Sequence, residues 1–262
     1  MYFSKCWRDT RFSFLSLLVL VGAATLLWTI LVRDGVLAVS EELRADAFFT
    51  LIAFGTVALA CPLGVVAGLV LGSKGLGAEL KRPSSEFLFT RPCTRGQLLR
   101  DSLAMGILEI LFLLAFSIIV AVAAIVIDAN QFWNVRAFRN YYAQAVQKSF
   151  GIHDIGIVLV SVVVIAIFAY CFTQLVGILT RSGRKALAFG GILILAYSLA
   201  SLAAPRYGDI QLPSVTGISF YSHPTTSSAF SYEAPIIVLI GLAVLSMICV
   251  LVSGVLLNRS EI

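Results

Sequence analysis

Long runs of apolar residues alternate with short polar segments along most of the chain. Six of these runs are long enough, or nearly so, to cross a bilayer, which takes about 20 residues of helix. Their approximate bounds are 12–32, 47–71, 103–127, 155–180, 187–204 and 235–257, and the fifth is the shortest. The pattern predicts an all-α membrane protein with six transmembrane helices. These form a single domain over residues 12–262, after a short segment at residues 1–11.

Composition agrees with lipid as the solvent for these runs. The 262 residues are 59% hydrophobic and only 13% charged, whereas soluble domains are nearer half apolar and a quarter charged. The five cysteines form no CxxC motif and no Cys/His cluster, which argues against a disulfide framework or a structural zinc site. The net charge of +5 is not gathered on a basic soluble face, so nucleic acid is not expected as a partner.

Basic residues are distributed unequally between the two sides of the predicted bundle. The side with the N-terminus, the 72–102 loop, the 181–186 loop and the C-terminus carries 13 lysines and arginines, and the other side carries 6. Because cytoplasmic loops are enriched in these residues, we expect both termini in the cytoplasm.

Three segments outside the predicted spans also contain apolar residues. Residues 1–11 separate apolar from charged side chains on two helical faces, which suggests an amphipathic helix on the inner leaflet, with a ragged tail as the alternative. Residues 128–154 show a helical apolar spacing, so they either lie on the outer surface or pack on the ends of the spans. The 205–234 loop contains an apolar patch that is compatible with a re-entrant segment.

The longest cytoplasmic loop carries local signals for a short helix, a break and a second helix. Ser84 or Ser85 can cap the first helix, and Pro92 disfavours helical geometry in the residue before it. Thr94-x-x-Gln97 has the form of a capping box that starts a helix running into the third span. Apolar residues on the aqueous side form a candidate docking surface, or else rest on the bilayer interface. They are Phe87, Leu88 and Phe89.

The same segment resembles the permease subunits of type-2 ABC transporters, exporters with six spans in each half. Those proteins carry Glu-Phe-Leu-Leu-x-x-Pro-x-x-Arg between their second and third spans, and residues 86–95 here read Glu-Phe-Leu-Phe-Thr-Arg-Pro-Cys-Thr-Arg. The Gly-Thr often found just before the Glu is Ser84-Ser85 in this chain. In the family this segment forms the cytoplasmic coupling helix that docks on the ATPase. The resemblance implies docking roles for Glu86, Phe87, Leu88, Phe89, Arg91, Pro92 and Arg95.

The resemblance implies a permease subunit of an ABC transporter, an exporter in the cytoplasmic (inner) membrane of a prokaryote. The chain has no GxxxxGK[ST] phosphate loop and no cytoplasmic loop long enough for a nucleotide-binding domain, so ATP and Mg²⁺ would be bound by a separate ABC ATPase subunit. The other implied partner is a second copy or a homologous permease, with an external accessory protein as a further option. The competing interpretation is a non-transport membrane scaffold or assembly subunit of another complex.

Small and polar residues inside the spans suggest packing and pathway positions. Gly64-x-x-x-Gly68-x-x-x-Gly72 permits close helix contact, either at a dimer interface or within one chain. Glu109 and Gln174 are candidates for a pathway or gate. Glu109 alternatively snorkels toward the interface or pairs with an arginine. The chain has no GxSxG, GxSG or HExxH motif, so we expect no catalytic, cofactor-binding or metal-binding residues in it.

Overall fold

The computed structural model describes residues 2–37, 62–79, 94–132, 152–203 and 236–259, and these ranges are helical apart from short turns. The segments 86–93, 133–151 and 205–234, for which the sequence makes predictions, lie outside the described residues. The helices are α1 (Tyr2–Leu37), α2 (Pro62–Ser73), α3 (Leu76–Glu79), α4 (Arg95–Phe132), α5 (Ile152–Thr180), α6 (Gly183–Ala203) and α7 (Ile236–Arg259).

Four of the described helices contain stretches long and apolar enough to cross a membrane. These are Cys6–Trp28 in α1, Arg95–Val120 in α4, Val160–Thr180 in α5 and Leu239–Arg259 in α7. Phe12, Ile119 and Met247 on these stretches are 69%, 65% and 67% exposed. Soluble proteins rarely expose extensive apolar surface, whereas lipid solvates it.

The chain is therefore an all-α, multi-pass membrane protein. The prediction of membrane-crossing helices is confirmed for the first, third, fourth and sixth predicted spans. The fifth predicted span coincides with α6, and α2 occupies the end of the second.

α1 joins the N-terminal segment and the first span in one unbroken helix of 36 residues. At 1.5 Å per residue it is about 54 Å long, well beyond the roughly 30 Å of hydrocarbon. Cys6 and Thr10 are buried, while Trp7 is 40% exposed. The N-terminal segment therefore packs one face on the helix bundle and continues into the first span without a break. Its position on the inner leaflet stays a prediction.

α5 lies at the centre of the described helices. It contacts α3, α4, α6 and α7, and the glycines of α2 pack on it as well. In the membrane-crossing stretch of α5, 50% of the positions are buried, against 17% in that of α7. α1 packs along α4 on the other side of a core that includes Phe14, Leu71, Ile110 and Tyr170.

α5 and α6 form a helical hairpin joined only by Arg181 and Ser182. Arg181 has a φ of 48°, the left-handed conformation that commonly ends a helix. Ser182 O accepts a hydrogen bond from Ala186 N at 3.0 Å, which begins α6. The loop expected at 181–186 is thus mostly helix, because the chain reverses direction in two residues.

Candidate functional site

The start of α4 overlaps the end of the segment 86–95 that resembles the coupling-helix motif. Thr94 N donates to Gln97 Oε1 at 3.1 Å, and Gln97 N donates to Thr94 Oγ1 at 3.3 Å. These are the two reciprocal bonds of a capping box, so the predicted capping box and the helix it starts are confirmed. The other predicted docking residues lie outside the described residues; they are Glu86, Phe87, Leu88, Phe89, Arg91 and Pro92.

Arg95 lies in the first turn of α4 and reaches the end of α7. Its Nη1 donates to the carbonyl oxygens of Leu257 at 2.9 Å and Asn258 at 3.2 Å. The last carbonyls of a helix have no partner inside that helix, and a cation there also interacts favourably with the helix dipole. Arg95 therefore caps α7 from α4. Sequence reasoning missed this role because the partners are 162 and 163 positions away.

An apolar cluster lies at the same end of the bundle. Leu98 and Leu99 of α4 pack with Leu76 of α3, Ile178 of α5 and Leu257 of α7, and each of the five is at most 7% exposed. Packed interiors have few voids and transmit displacement. The first turns of α4 thus pack against the ends of α3, α5 and α7. The predicted docking residues 86–92 precede these turns in the chain.

A polar cavity borders this cluster, between α1, the α2–α3 turn, α4 and α5. It measures about 20 Å³, room for one or two water molecules. Lys74 is exposed and Asp9 is half-buried, whereas Glu109 is only 3% exposed. The polar lining therefore extends from the surface into the interior; its members include Asp9, Thr10, Lys74, Ser102, Glu109 and Tyr170.

Thr10 and Glu109 meet inside this cavity. The Thr10 hydroxyl lies within hydrogen-bonding reach of Glu109 Oε1, and of Cys6 O at 3.0 Å. A hydroxyl has one hydrogen to donate, so Thr10 donates to one of these oxygens at a time. A protonated Glu109 would instead donate to Thr10, and Thr10 could then donate to Cys6 O.

The other oxygen of the Glu109 carboxyl, Oε2, is buried and has no hydrogen-bond partner among the described residues. Among the described residues, no arginine pairs with this carboxyl. Glu109 is only 3% exposed, whereas a side chain that snorkels to the interface would be exposed at its charged end. A buried carboxyl oxygen that has lost its hydration requires a proton, a cation or a water molecule.

Gln174 joins the same polar region from α5. Its Nε2 donates to Ser102 Oγ at 3.2 Å, and Tyr170 OH donates to Ser102 O at 2.9 Å. Gln174 is 1% exposed, and its Oε1 has no hydrogen-bond partner within the described ranges. Ser102 and Glu109 both line the cavity, so α4 links the two intramembrane candidates, Glu109 and Gln174. The sequence carried no signal for the contributions of Thr10, Ser102 and Tyr170, because tertiary packing alone brings them together.

The three glycines of α2 face α5 of the same chain. A Cβ added at Gly68 would lie 2.5 Å from Ala166 O, and one added at Gly72 would lie 2.7 Å from Tyr170 O. At Gly64 the nearest atoms belong to side chains and lie 3.3 Å away. Gly68 and Gly72 therefore permit close approach of the α2 and α5 backbones. The sequence allowed contact at a dimer interface or within one chain, and this contact lies within one chain.

Comparison of the sequence with models of known protein families and with curated proteins finds no match. In the part of the chain that the structure describes, no group of three or more His, Cys, Asp or Glu side chains is placed to hold a metal ion.

Proposed function

We propose that this chain is the membrane-spanning permease subunit of an ABC transporter. In this proposal it works as an exporter and couples ATP hydrolysis in a separate ATPase to movement of its helices. The observation that carries the proposal is the start of α4. This helix begins at a capping box inside the segment that resembles a coupling-helix motif, and its first turns pack on the ends of α3, α5 and α7.

Coupling requires that contacts with the ATPase favour one arrangement of the helices over another. A force on residues 86–93 acts first on the N-terminal turn of α4. Arg95 passes it to the end of α7 through its bonds to the carbonyls of Leu257 and Asn258. Leu98 and Leu99 pass it to α3 and α5 through the apolar cluster. The ends of these helices therefore move together, which is the physical basis of the proposed coupling.

The proposal includes six spans with both termini in the cytoplasm, and assembly of two permeases with two ATPase chains in the inner membrane of a prokaryote. The asymmetry of 13 against 6 basic residues supports this orientation. ATP and Mg²⁺ belong to the ATPase, and this chain supplies the membrane pathway.

Affinity purification of the tagged chain from its native membranes tests the proposal. We expect an ABC ATPase, identified by its Walker motifs in mass spectrometry, to co-purify, and the complex to hydrolyse ATP in a vanadate-sensitive manner. A tagged membrane protein of similar size, expressed in the same cells, is the control for non-specific retention. Recovery of an intact membrane complex without any such ATPase would contradict the proposal and favour the scaffold interpretation.

A further inference from the structure

The cavity that contains Glu109 has features of an ion site that the proposed transport function does not require. Glu109 is 3% exposed, it lines the cavity, and its Oε2 has no hydrogen-bond partner among the described residues. Charged side chains inside membranes are costly and normally have a partner. Thr10 supplies one hydrogen bond, and only to the other carboxyl oxygen. The geometry therefore leaves one coordination position beside Oε2 to be satisfied.

The lining suits a hard cation with oxygen ligands. The residues that line the cavity include Thr10, Ser102 and Tyr170, which carry hydroxyl groups, and Asp9 and Glu109, which carry carboxylates. The C-terminal end of α2 borders it too, because the helix stops at Ser73 and the chain turns at Lys74 and Gly75. Helix C-termini carry partial negative charge, and interrupted helices are common at cation sites in membrane proteins.

Charge and size favour a monovalent ion. The buried Glu109 carboxylate that lines the cavity carries one negative charge when it is ionised. One monovalent cation neutralises it. Divalent ions are usually held by several carboxylate, imidazole or thiolate ligands. Within the described residues no group of three or more His, Cys, Asp or Glu side chains is placed to hold a metal ion. The volume of about 20 Å³ admits one small ion or one or two water molecules, and excludes an organic cation.

We propose that the cavity between α1, the α2–α3 turn, α4 and α5 binds one Na⁺ ion through Glu109, with Thr10 orienting the carboxylate. Bound Na⁺ neutralises the buried carboxylate and holds α1 against α4 at the inner end of the bundle. Protons compete for the same oxygen, so binding weakens as the pH falls. The other titratable groups that face the cavity are Cys6, Asp9, Lys74 and Tyr170. This inference does not depend on the presence of an ATPase.

Binding of ²²Na⁺ to the purified full-length chain in detergent tests the proposal, with the thermal midpoint of unfolding as a second readout. We expect saturable binding of one ion per chain. The midpoint should rise with NaCl but not with N-methylglucamine chloride at equal ionic strength, because a ligand that binds only the folded state stabilises it. Glu109→Gln should weaken binding by more than about tenfold, the equivalent of 1.4 kcal/mol.

Three further variants keep the test specific. Asp101→Asn removes a carboxylate from the same helix outside the cavity lining and should leave ²²Na⁺ binding unchanged. Lys74→Gln should tighten binding, because it removes a positive charge from the cavity wall. Thr10→Val should weaken binding. If the Glu109→Gln variant does not fold, the result for Thr10→Val decides the test. Absence of saturable ²²Na⁺ binding to the wild-type chain, or binding that survives both Glu109→Gln and Thr10→Val, overturns the proposal and leaves only water or a proton in the cavity.

Discussion

Replacing Gly68 by alanine tests the packing of α2 on α5. The added Cβ would lie 2.5 Å from Ala166 O and 3.1 Å from Tyr170 N, and the first of these distances is far inside ordinary van der Waals contact. Both atoms belong to the backbone of α5, so rotation of a side chain cannot relieve the overlap and the helices must separate. Overpacking of this kind costs about 1–3 kcal/mol, whereas alanine is better than glycine in a helix interior by about 1 kcal/mol.

Gly241→Ala on α7 is the matched control, because a Cβ at that position has no atom within 4 Å. Both variants gain the same helix propensity, so the difference between their free energies of unfolding isolates the overlap. We expect Gly68→Ala to be less stable than Gly241→Ala by about 1–3 kcal/mol. Thermal unfolding in detergent measures this difference, at roughly 2–4 °C per kcal/mol for a chain of about this size.

Equal melting temperatures for the two variants would refute the packing of α2 on α5 at Gly68. The oligomeric state, measured by light scattering, adds a second readout. If Gly68→Ala dissociates a dimer without lowering the stability of each chain, the glycines lie at a subunit interface instead.

Two further predictions concern the end of α7 and the topology. Arg95→Gln removes the cap on Leu257 and Asn258 and should lower the free energy of unfolding by about 1 kcal/mol. It should also speed amide hydrogen exchange at the end of α7. Arg100 is exposed on the same helix as Arg95, so Arg100→Gln is the control. Equal exchange rates in the two variants would exclude the capping role. In a cysteine-free background, a membrane-impermeant maleimide should label a cysteine at position 140 in intact cells, and one at position 185 only after permeabilisation. The reverse pattern would contradict the proposed orientation.

Hydropathy and local chemistry predicted much of the helical structure. The length of the apolar runs alone was sufficient to predict helices at α1, α4, α5 and α7. A segment that crosses lipid must satisfy its backbone hydrogen bonds internally, and a helix does so. The capping box at Thr94 and Gln97 was also predictable, since its residues lie three positions apart. The helical character of residues 2–11 was predictable from their spacing, but their continuity with the first span and the burial of Cys6 and Thr10 were not, because both depend on tertiary packing.

The candidate site was less predictable, because its contacts join distant parts of the chain. The sequence identified Glu109 and Gln174 as polar residues in apolar helices. It contained no sign that Thr10, 99 positions from Glu109, would approach its carboxyl group. The glycine pattern of α2 permits close packing on any helix with a smooth surface, so the sequence does not identify the helix that Gly68 contacts. The structure shows that this helix is α5. The contact of Arg95 with the end of α7 was not predictable, because its partners lie 162 and 163 positions away. Its docking role stays a prediction from the resemblance.

In the proposed function, residues 86–95 hold an ABC ATPase against the inner end of the bundle. In the proposed complex, burial of Phe87 and Phe89 in a groove of the ATPase would contribute about 2–3 kcal/mol each, and Phe87→Ala/Phe89→Ala removes both side chains. The matched control is Phe112→Ala/Phe189→Ala, which removes two aromatics from exposed helix surfaces at 58% and 55% exposure. The measurement is the amount of ATPase recovered with each tagged chain in detergent, with membrane insertion quantified in parallel. We expect recovery to fall more than about tenfold for Phe87→Ala/Phe89→Ala alone, while all chains insert equally. Equal recovery of the ATPase with the two double variants and the wild-type chain would contradict the claim.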